Sequence, residues 1–417
     1  MKKIVSAAGL AALGAVGLHA AAGDGLSRIE SSKPWSIKAN LRGFYDDNIL
    51  TLPSAVGSSP DSFGFELSPS LNYNLVKEQT LLNAGYQYTL RWFDDRDPDN
   101  SDHNHSFNLG INHDINQNLS LSLTDQFVIA QEPEVIDPTG ATRFRALRAD
   151  SDALRNSANL SLTAQLSDTL SLVGGYKNDL INYDADGDGS FSALLDRVEH
   201  RLSANLRTQL RPATSALLGY QYRIVDYTSD DLLQPGGSPS DVRNSDSHYV
   251  YAGIDHTFSP ELSTSLRAGA QFTTYDNANV ADDSTVSPYI DANLSYAYAK
   301  GSNLSVGLRH ERNQTDIPYF LQTLILDQET TSIYASVTHQ LTAKLTANLV
   351  GMYAMSSFGD SLPGSPSDDY LSLGANVAYT INQYLQAETG YNFDDLSSDL
   401  GRSFDRNRVY IGLKASY

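Results

Sequence analysis

From Trp35 to the C-terminus the chain is a succession of short segments in which polar and apolar residues alternate. Alternation puts every second side chain on one side of an extended strand, so each segment has one apolar and one polar face. Phe63, Phe65, Leu67, Leu71 and Tyr73 alternate with Ser62, Gly64, Glu66, Ser68, Ser70, Asn72 and Asn74. Ala158, Leu160, Leu162, Ala164 and Leu166 alternate with Asn159, Ser161, Thr163 and Gln165. Leu371, Leu373, Ala375, Val377, Tyr379 and Ile381 alternate with Ser372, Gly374, Asn376, Ala378 and Thr380. The connections are of two kinds. The tight ones are Asn116–Asn118, Ser167–Asp168, Arg211–Ala213, Ser259–Pro260, Lys300–Ser302, Thr342–Lys344 and Asn382–Gln383. The long ones, rich in Asp, Ser, Gly and Pro, are Asp46–Asp61, Asp94–Asn104, Gln131–Asp152, Asp184–Ala193, Ser229–Ser245, Asp276–Ser284, Asp316–Asp327, Gly359–Asp368 and Ser397–Phe404.

The two kinds take turns along the chain. Repeat units opening at Leu119, Leu170, Leu262, Leu304, Leu345 and Leu385 recur at roughly 40 to 50 residues, a period that also fits propeller blades. A propeller or sandwich has no reason to sort its connections by length. Outer-membrane barrels do, with short turns on one side and long loops on the other. The polar faces carry Ser, Asn, Thr, Gly and Gln, and charged residues make up only 19% of the chain, which suits a watery lumen better than a soluble surface. The expected fold is therefore all-β: a transmembrane antiparallel up-and-down β-barrel over residues 35–417. It should have about 18 strands, or about 16 to 20 if one hairpin is merged or missed, each at or slightly above about 9–11 residues. An even count puts both termini on the same side, expected to be periplasmic.

The chain ends on Arg408-Val409-Tyr410-Ile411-Gly412-Leu413-Lys414-Ala415-Ser416-Tyr417. Val409, Ile411, Leu413, Ala415 and Tyr417 share one face. This resembles the closing strand of bacterial outer-membrane barrels, and the resemblance implies that Tyr417 belongs to a signal read by the barrel-assembly machinery. Lys2 and Lys3, an apolar stretch from Ile4 to Leu18 and Ala20-Ala21-Ala22 read as a secretory signal peptide over residues 1–22, with cleavage after Ala20 or Ala22. Residues 23–34 would form a periplasmic N-terminal segment. No later run of apolar residues is long enough for a membrane helix. The chain has no cysteine, so it can cross an oxidising compartment without mispairing, and 24 tyrosines, which suit strands and membrane interfaces. A formal charge of −20 argues against nucleic acid as a partner.

Gly43-Phe44-Tyr45-Asp46-Asp47-Asn48-Ile49 resembles the opening signature of the putative β-barrel porin 2 family. The resemblance implies an outer-membrane barrel, in some members tied to exopolysaccharide export. It carries over no catalytic residues and no cofactor. Read by residue type alone, Asp46-Asp47-Asn48 is a turn leaving the first strand.

Strand parity directs Arg197, Arg201, Arg207, Arg223, Arg267 and Arg309 into the lumen, with Glu66, Asp291, Glu311, Glu388 and Asp394. Opposed basic and acidic walls would set a field across a pore; pairing across strands would only stabilise the barrel. Asp184, Asp186 and Asp188, with Gly189, match the first half of an EF-hand-like loop and are the candidate calcium ligands, although Leu195 stands where a bidentate Glu belongs. His103 and His105 would share a strand face and could hold a metal, or lie in a solvated loop. Asp125 breaks the pattern: it shares the apolar face of Leu119, Leu121 and Leu123 unless a bulge re-aims it.

The function expected is a porin-like channel passing small hydrophilic solutes and ions. Acidic loops (Asp94-Asp95-Arg96-Asp97, Asp230-Asp231, Asp368-Asp369) would favour cations at its mouth. The alternatives are an export component for a surface polysaccharide, with sugar stacked on lumenal aromatics, and a barrel protease or lipase. Lipid and the assembly machinery are the partners implied, with a homo-oligomer open. A loop as long as Gln131–Asp152 could fold into the lumen.

Overall fold

A computed structural model describes residues 34–54, 57, 60–96, 99–130, 152–277, 284–359 and 364–417. The expected signal peptide 1–22, residues 23–33 and loop residues 131–151 lie outside the described residues. Eighteen long strands close into one sheet whose neighbours are all antiparallel. They begin with β1 Trp35–Asp46, β2 Ser62–Val76, β3 Thr80–Phe93, β4 Ser101–Asn116, β5 Leu119–Ala130 and β6 Ala153–Gln165. Next come β7 Leu170–Tyr183, β8 Arg197–Arg211, β9 Thr214–Tyr227, β10 Ser245–Ser259, β11 Leu262–Tyr275, β12 Ser284–Ala299 and β13 Ser302–Asn313. Two short strands, β14 Tyr319–Phe320 and β15 Thr323–Leu324, form a separate hairpin inside a loop. The barrel resumes with β16 Gln328–Gln340, β17 Leu345–Ser357, β18 Ser367–Asn382, β19 Leu385–Ser398 and β20 Phe404–Ser416. A short helix, α1 Phe191–Leu195, sits in the loop before β8, its first turn capped by the Ser190 hydroxyl.

Both termini lie at the end of the barrel that carries the tight turns. One such turn, Lys77 to Gln79, has no counterpart in the sequence expectation; it contains no Gly, Pro or Asn to mark it, and is closed by Lys77 N–H donating to Thr80 O at 2.8 Å. The strands are 12 to 16 residues long, more than the about 9–11 a tilted crossing needs. Part of that surplus comes from Ser101–His105, which belongs to β4 although its Ser, Asp, Asn and His content reads as loop.

The outer face is apolar and exposed: Leu41, Phe63, Leu218, Leu349 and Ile411 all stand on it. Toward the loop end, tyrosine hydroxyls on this face meet a polar group on the next strand: Tyr45 with Asp61, Tyr86 with His105, Tyr88 with His103, Tyr176 with His200, Tyr220 with His248 and Tyr222 with Asp246. At the turn end Trp35 and Tyr384 flank Tyr417, with ring centroids 6.1 and 6.5 Å away. Aromatic rings with one wet edge bound the apolar band at both ends, as in a membrane barrel. His103 and His105 are members of this girdle. Among the described residues no group of three or more His, Cys, Asp or Glu is placed to hold a metal.

β20 closes on β1 from Lys38↔Ser416 to Asp46↔Arg408, and the backbones of Ile37 and Tyr417 exchange hydrogen bonds of 3.0 and 2.9 Å. The segment read as a turn from its residue types latches this seam at the loop end. Asp46, fully buried, accepts from Arg406 Nε at 2.9 Å and Arg408 Nε at 3.0 Å. Asp47 accepts from the backbone and the side chain of Asn407. The Asn48 amide donates to Asp405 O at 3.0 Å and its carbonyl accepts from Leu52 N. We expect Asp46→Ala, which strands two guanidiniums at the seam, to destabilise the folded barrel by about 3–5 kcal/mol. A lower temperature for loss of heat-modifiable gel migration checks this; an unchanged midpoint would show that backbone pairing alone holds the seam.

Candidate functional site: the lumen and the loop over its mouth

The face opposite the apolar one is the inside of the closed barrel. On the wall made by β19, β20, β1, β2 and β3, Arg42 reaches Glu388 at 2.6 Å and Glu66 at 3.2 Å. Arg91 holds the other oxygen of Glu66 at 3.0 Å, and Lys414 the other oxygen of Glu388 at 3.2 Å. The Arg42 guanidinium also stands 4.6 Å over the Tyr410 ring. Asp394 accepts from the hydroxyls of Tyr370 and Ser372.

The wall from β7 to β13 is built the same way. Glu199 takes Arg197 at 2.9 Å and Arg223 at 2.8 Å. Asp255 takes Arg207 and, at 2.7 Å, Arg267. Arg309 meets Glu311 at 3.1 Å and, more loosely, Asp291 at 3.8 Å. The charges therefore pair between neighbouring strands and do not separate onto opposed walls. One cation stands apart. Arg201 lies directly between Lys177 and Arg223 in the register of β7, β8 and β9, and forms no ion pair among the described residues. Glu199 and Glu311 lie within its electrostatic reach. Like charges side by side on a sheet repel, so Arg201 is the place where this wall keeps an uncompensated positive field.

Tyrosines fill the same wall. Tyr249, Tyr251 and Tyr289 pack on one another, with centroids 5.4 Å apart for both Tyr249–Tyr289 and Tyr251–Tyr289. Tyr251 lies flat across the next strand because that strand carries Gly219: a Cβ there would come within 2.2 Å of the ring.

The mouth at the loop end is crossed by residues 314–327, between β13 and β16. On one side Gln314 bonds Arg223, Thr315 O accepts from Arg243 at 3.0 Å, and the Tyr319 hydroxyl accepts from Ser238 N at 2.8 Å. On the other side Asp316 is held by Arg402 at 2.8 Å, and Arg402 also takes Asp368 at the start of β18. Ile317, Phe320 and Ile325 pack with Phe358 and Leu400. At its foot Asp327 takes Arg312 at 2.6 Å and the Tyr275 hydroxyl. The loop is thus tied both to the connection after β9 and to the one after β19, which stand on nearly opposite sides of the ring.

Two arginines do most of the tying. Arg243, 1% exposed, also donates to Leu194 O of α1 at 2.6 Å and stacks 4.3 Å over Tyr227; burial lowers its pKa, with Tyr227 opposing. Burial opposes the Arg402 charge too, but Asp316 and Asp368 outweigh it and raise its pKa. Neither residue stands out in the sequence, since loop residues carry no period; Gln131–Asp152, the longer candidate for an inward loop, falls almost wholly outside the described residues. The candidate calcium residues lie in the loop before α1. There Asp188 accepts from Leu232 N at 3.0 Å, and Asp231 accepts from Gly187 N at 2.9 Å. The three carboxylates act as loop acceptors and are not gathered into a ligand set.

The model of a family described as Putative beta-barrel porin 2 matches residues 37–417. No curated protein matches the chain. Among solved structures, OccAB4 of Acinetobacter baumannii is similar at 14% identity and a TM-score of 0.47, over 92% of this chain and 99% of that one. The outer membrane protein OpdK of Pseudomonas aeruginosa is similar at 11% and 0.45, over the same shares. A BenF-like porin of Pseudomonas fluorescens is similar at 12% and 0.44, again over those shares.

Arg402→Ala leaves Asp316 and Asp368 without their shared cation, and should free the loop while the strand ladders stay intact. The expected outcome is a higher and noisier single-channel conductance in a planar bilayer than that of the unaltered chain. Unchanged conductance from a folded variant would show that the loop does not limit the opening.

Proposed function

We propose, for a chain that belongs to the Putative beta-barrel porin 2 family, passive diffusion of small hydrophilic solutes and ions across the outer membrane, limited at the loop end by residues 314–327. The observation that carries this reading is the inner face. Its charges are compensated strand by strand and its remaining surface is Ser, Asn, Thr and Gly, which suits water and small polar solutes of many kinds. The even strand number and the placing of both termini at the turn end support a periplasmic location for them. Tyr417, paired and exposed at that end, is free to present its ring to lipid and to the assembly machinery.

Polysaccharide export would need open aromatic faces along the lumen. The inner tyrosines do not favour it, because Tyr249, Tyr251 and Tyr289 cover one another and Tyr410 is covered by Arg42. No inner cluster pairs a nucleophile with a histidine, since His103, His105, His200 and His248 all stand on the outer face with tyrosine partners. The reading is of a channel without catalysis.

Asp94, Asp95, Asp230 and Asp369 leave the mouth acidic, although Asp368 is neutralised by Arg402. A mild cation preference is expected from such a rim. Steady openings of the purified protein in a planar bilayer, with a reversal potential of cation sign under a salt gradient, would support the proposal. Arg201→Glu removes the one uncompensated lumenal cation and should push the potential further in the same direction. Silent insertion of a barrel that still shows heat-modifiable migration would overturn open diffusion; anion preference in the unaltered chain would mean that Arg201 and its neighbours outweigh the rim.

A further inference from the structure

Asp125 belongs to neither the lumen nor the loops. The pairing of β5 with β6 runs without a shift from Leu119↔Ala164 to Ala130↔Ala153, and that of β4 with β5 shifts only between Asp114 and Asn116. No bulge re-aims Asp125. It stands on the outer face with Leu121, Leu123 and Phe127, between Leu109 and Ala158 on the flanking strands. The girdle partner His105 lies four residues along β4 from Leu109, roughly 13 Å at about 3.3 Å per residue, so Asp125 sits well inside the apolar band. Asn156 Nδ2 donates to its carboxylate at 2.9 Å. Asn178 continues the polar line one strand further and meets His200. The opposite wall carries Ile333, Leu349, Tyr353 and Leu373, all apolar or aromatic and exposed.

An ionisable group facing hydrocarbon is costly, and such groups pair with a neighbour or mark an interaction. One Asn hydrogen bond does not satisfy a carboxylate, which has acceptor sites to spare, while the Asn156 amide keeps a second N–H. We propose that the outer face of β5, β6 and β7 around Asp125 is where a second copy of this chain docks about a two-fold axis. A two-fold contact sets the same patch against itself. Asn156 of each copy can then donate to Asp125 of the other, and lipid is excluded from both. The surface permits close approach, since Ala158, Ala164 and Gly174 are the outward residues around the pair, and a Cβ added at Gly174 would meet nothing within 4 Å. A lipid headgroup is the poorer occupant at this depth.

The absence of cysteine from the chain makes single-cysteine variants clean reporters. In native membranes, Ala158→Cys should give a disulfide-linked dimer on mild oxidation, while Leu349→Cys on the opposite wall should not. Light scattering of the detergent-solubilised protein should give the mass of two copies for the unaltered chain and of one for Asp125→Leu combined with Asn156→Leu, both with heat-modifiable migration. No dimer from Ala158→Cys, equal dimers from both sites, or a single-copy mass for the unaltered chain would overturn the proposal.

Discussion

A sheet that faces lipid cannot leave an edge, because unpaired N–H and C=O groups have no water to turn to. Everything else in this molecule depends on joining its first strand to its last. The two are separated by most of the chain, so the contact carries a large loop-closure cost that local hydrogen bonds do not lower. The seam is therefore fixed from both ends. At the turn end the final backbone group pairs with Ile37 and the final ring packs beside Trp35. At the loop end Asp46, Asp47 and Asn48 bind Arg406, Arg408, Asn407 and Asp405. The short segment that resembles the family signature is thus the lock of the barrel, which gives a physical reason for the pattern Asp-Asp-Asn there.

Closure also decides what the interior can be. With the apolar side chains turned outward there is no buried hydrocarbon core of the kind soluble domains have; the small apolar clusters sit near the mouth, as around Ile325 and Phe358. Cohesion inside comes from charge pairs and hydrogen bonds between strands. The same chemistry continues into the loops, where Arg243 and Arg402 gather connections from different parts of the ring over the opening. The loop over the mouth is accordingly held by buried polar links, which a single substitution can release without touching the ladder.

The strand plan was legible because period-2 alternation and turn chemistry are local: the closing strand and nearly every connection follow from a few neighbouring residues. Lys77 to Gln79 escaped because a tight turn built of Lys, Glu and Gln has no local mark. The lumenal facing of Arg197, Arg223, Arg309, Glu66 and Glu388 was legible by parity, while their pairing was not, since it depends on register between strands. For the same reason loop length pointed to Gln131–Asp152 as the inward loop, whereas 314–327 is held inward by partners on β9, β18 and two distant loops. At Asp125 the sequence posed the question correctly, and only the unshifted register of β5 answers it.

The choice of arginine inside this barrel has an electrostatic consequence. A guanidinium is a planar fork that can bond two carboxylates in fixed directions, where an ammonium acts as a point charge. Arg42 joins Glu66 to Glu388, Arg402 joins Asp316 to Asp368, and Arg312 joins Asp327 to Glu329. In a chain with 29 basic against 49 acidic residues, cations that each serve two anions let a limited supply neutralise the interior while the acidic excess stays in the loops. The field a solute meets along the wall is then set less by the number of charges than by the few that lack a partner. Arg201, with Lys177 and Arg223 on either side, is the clearest of these among the described residues. Selectivity in such a channel is governed by where pairing fails.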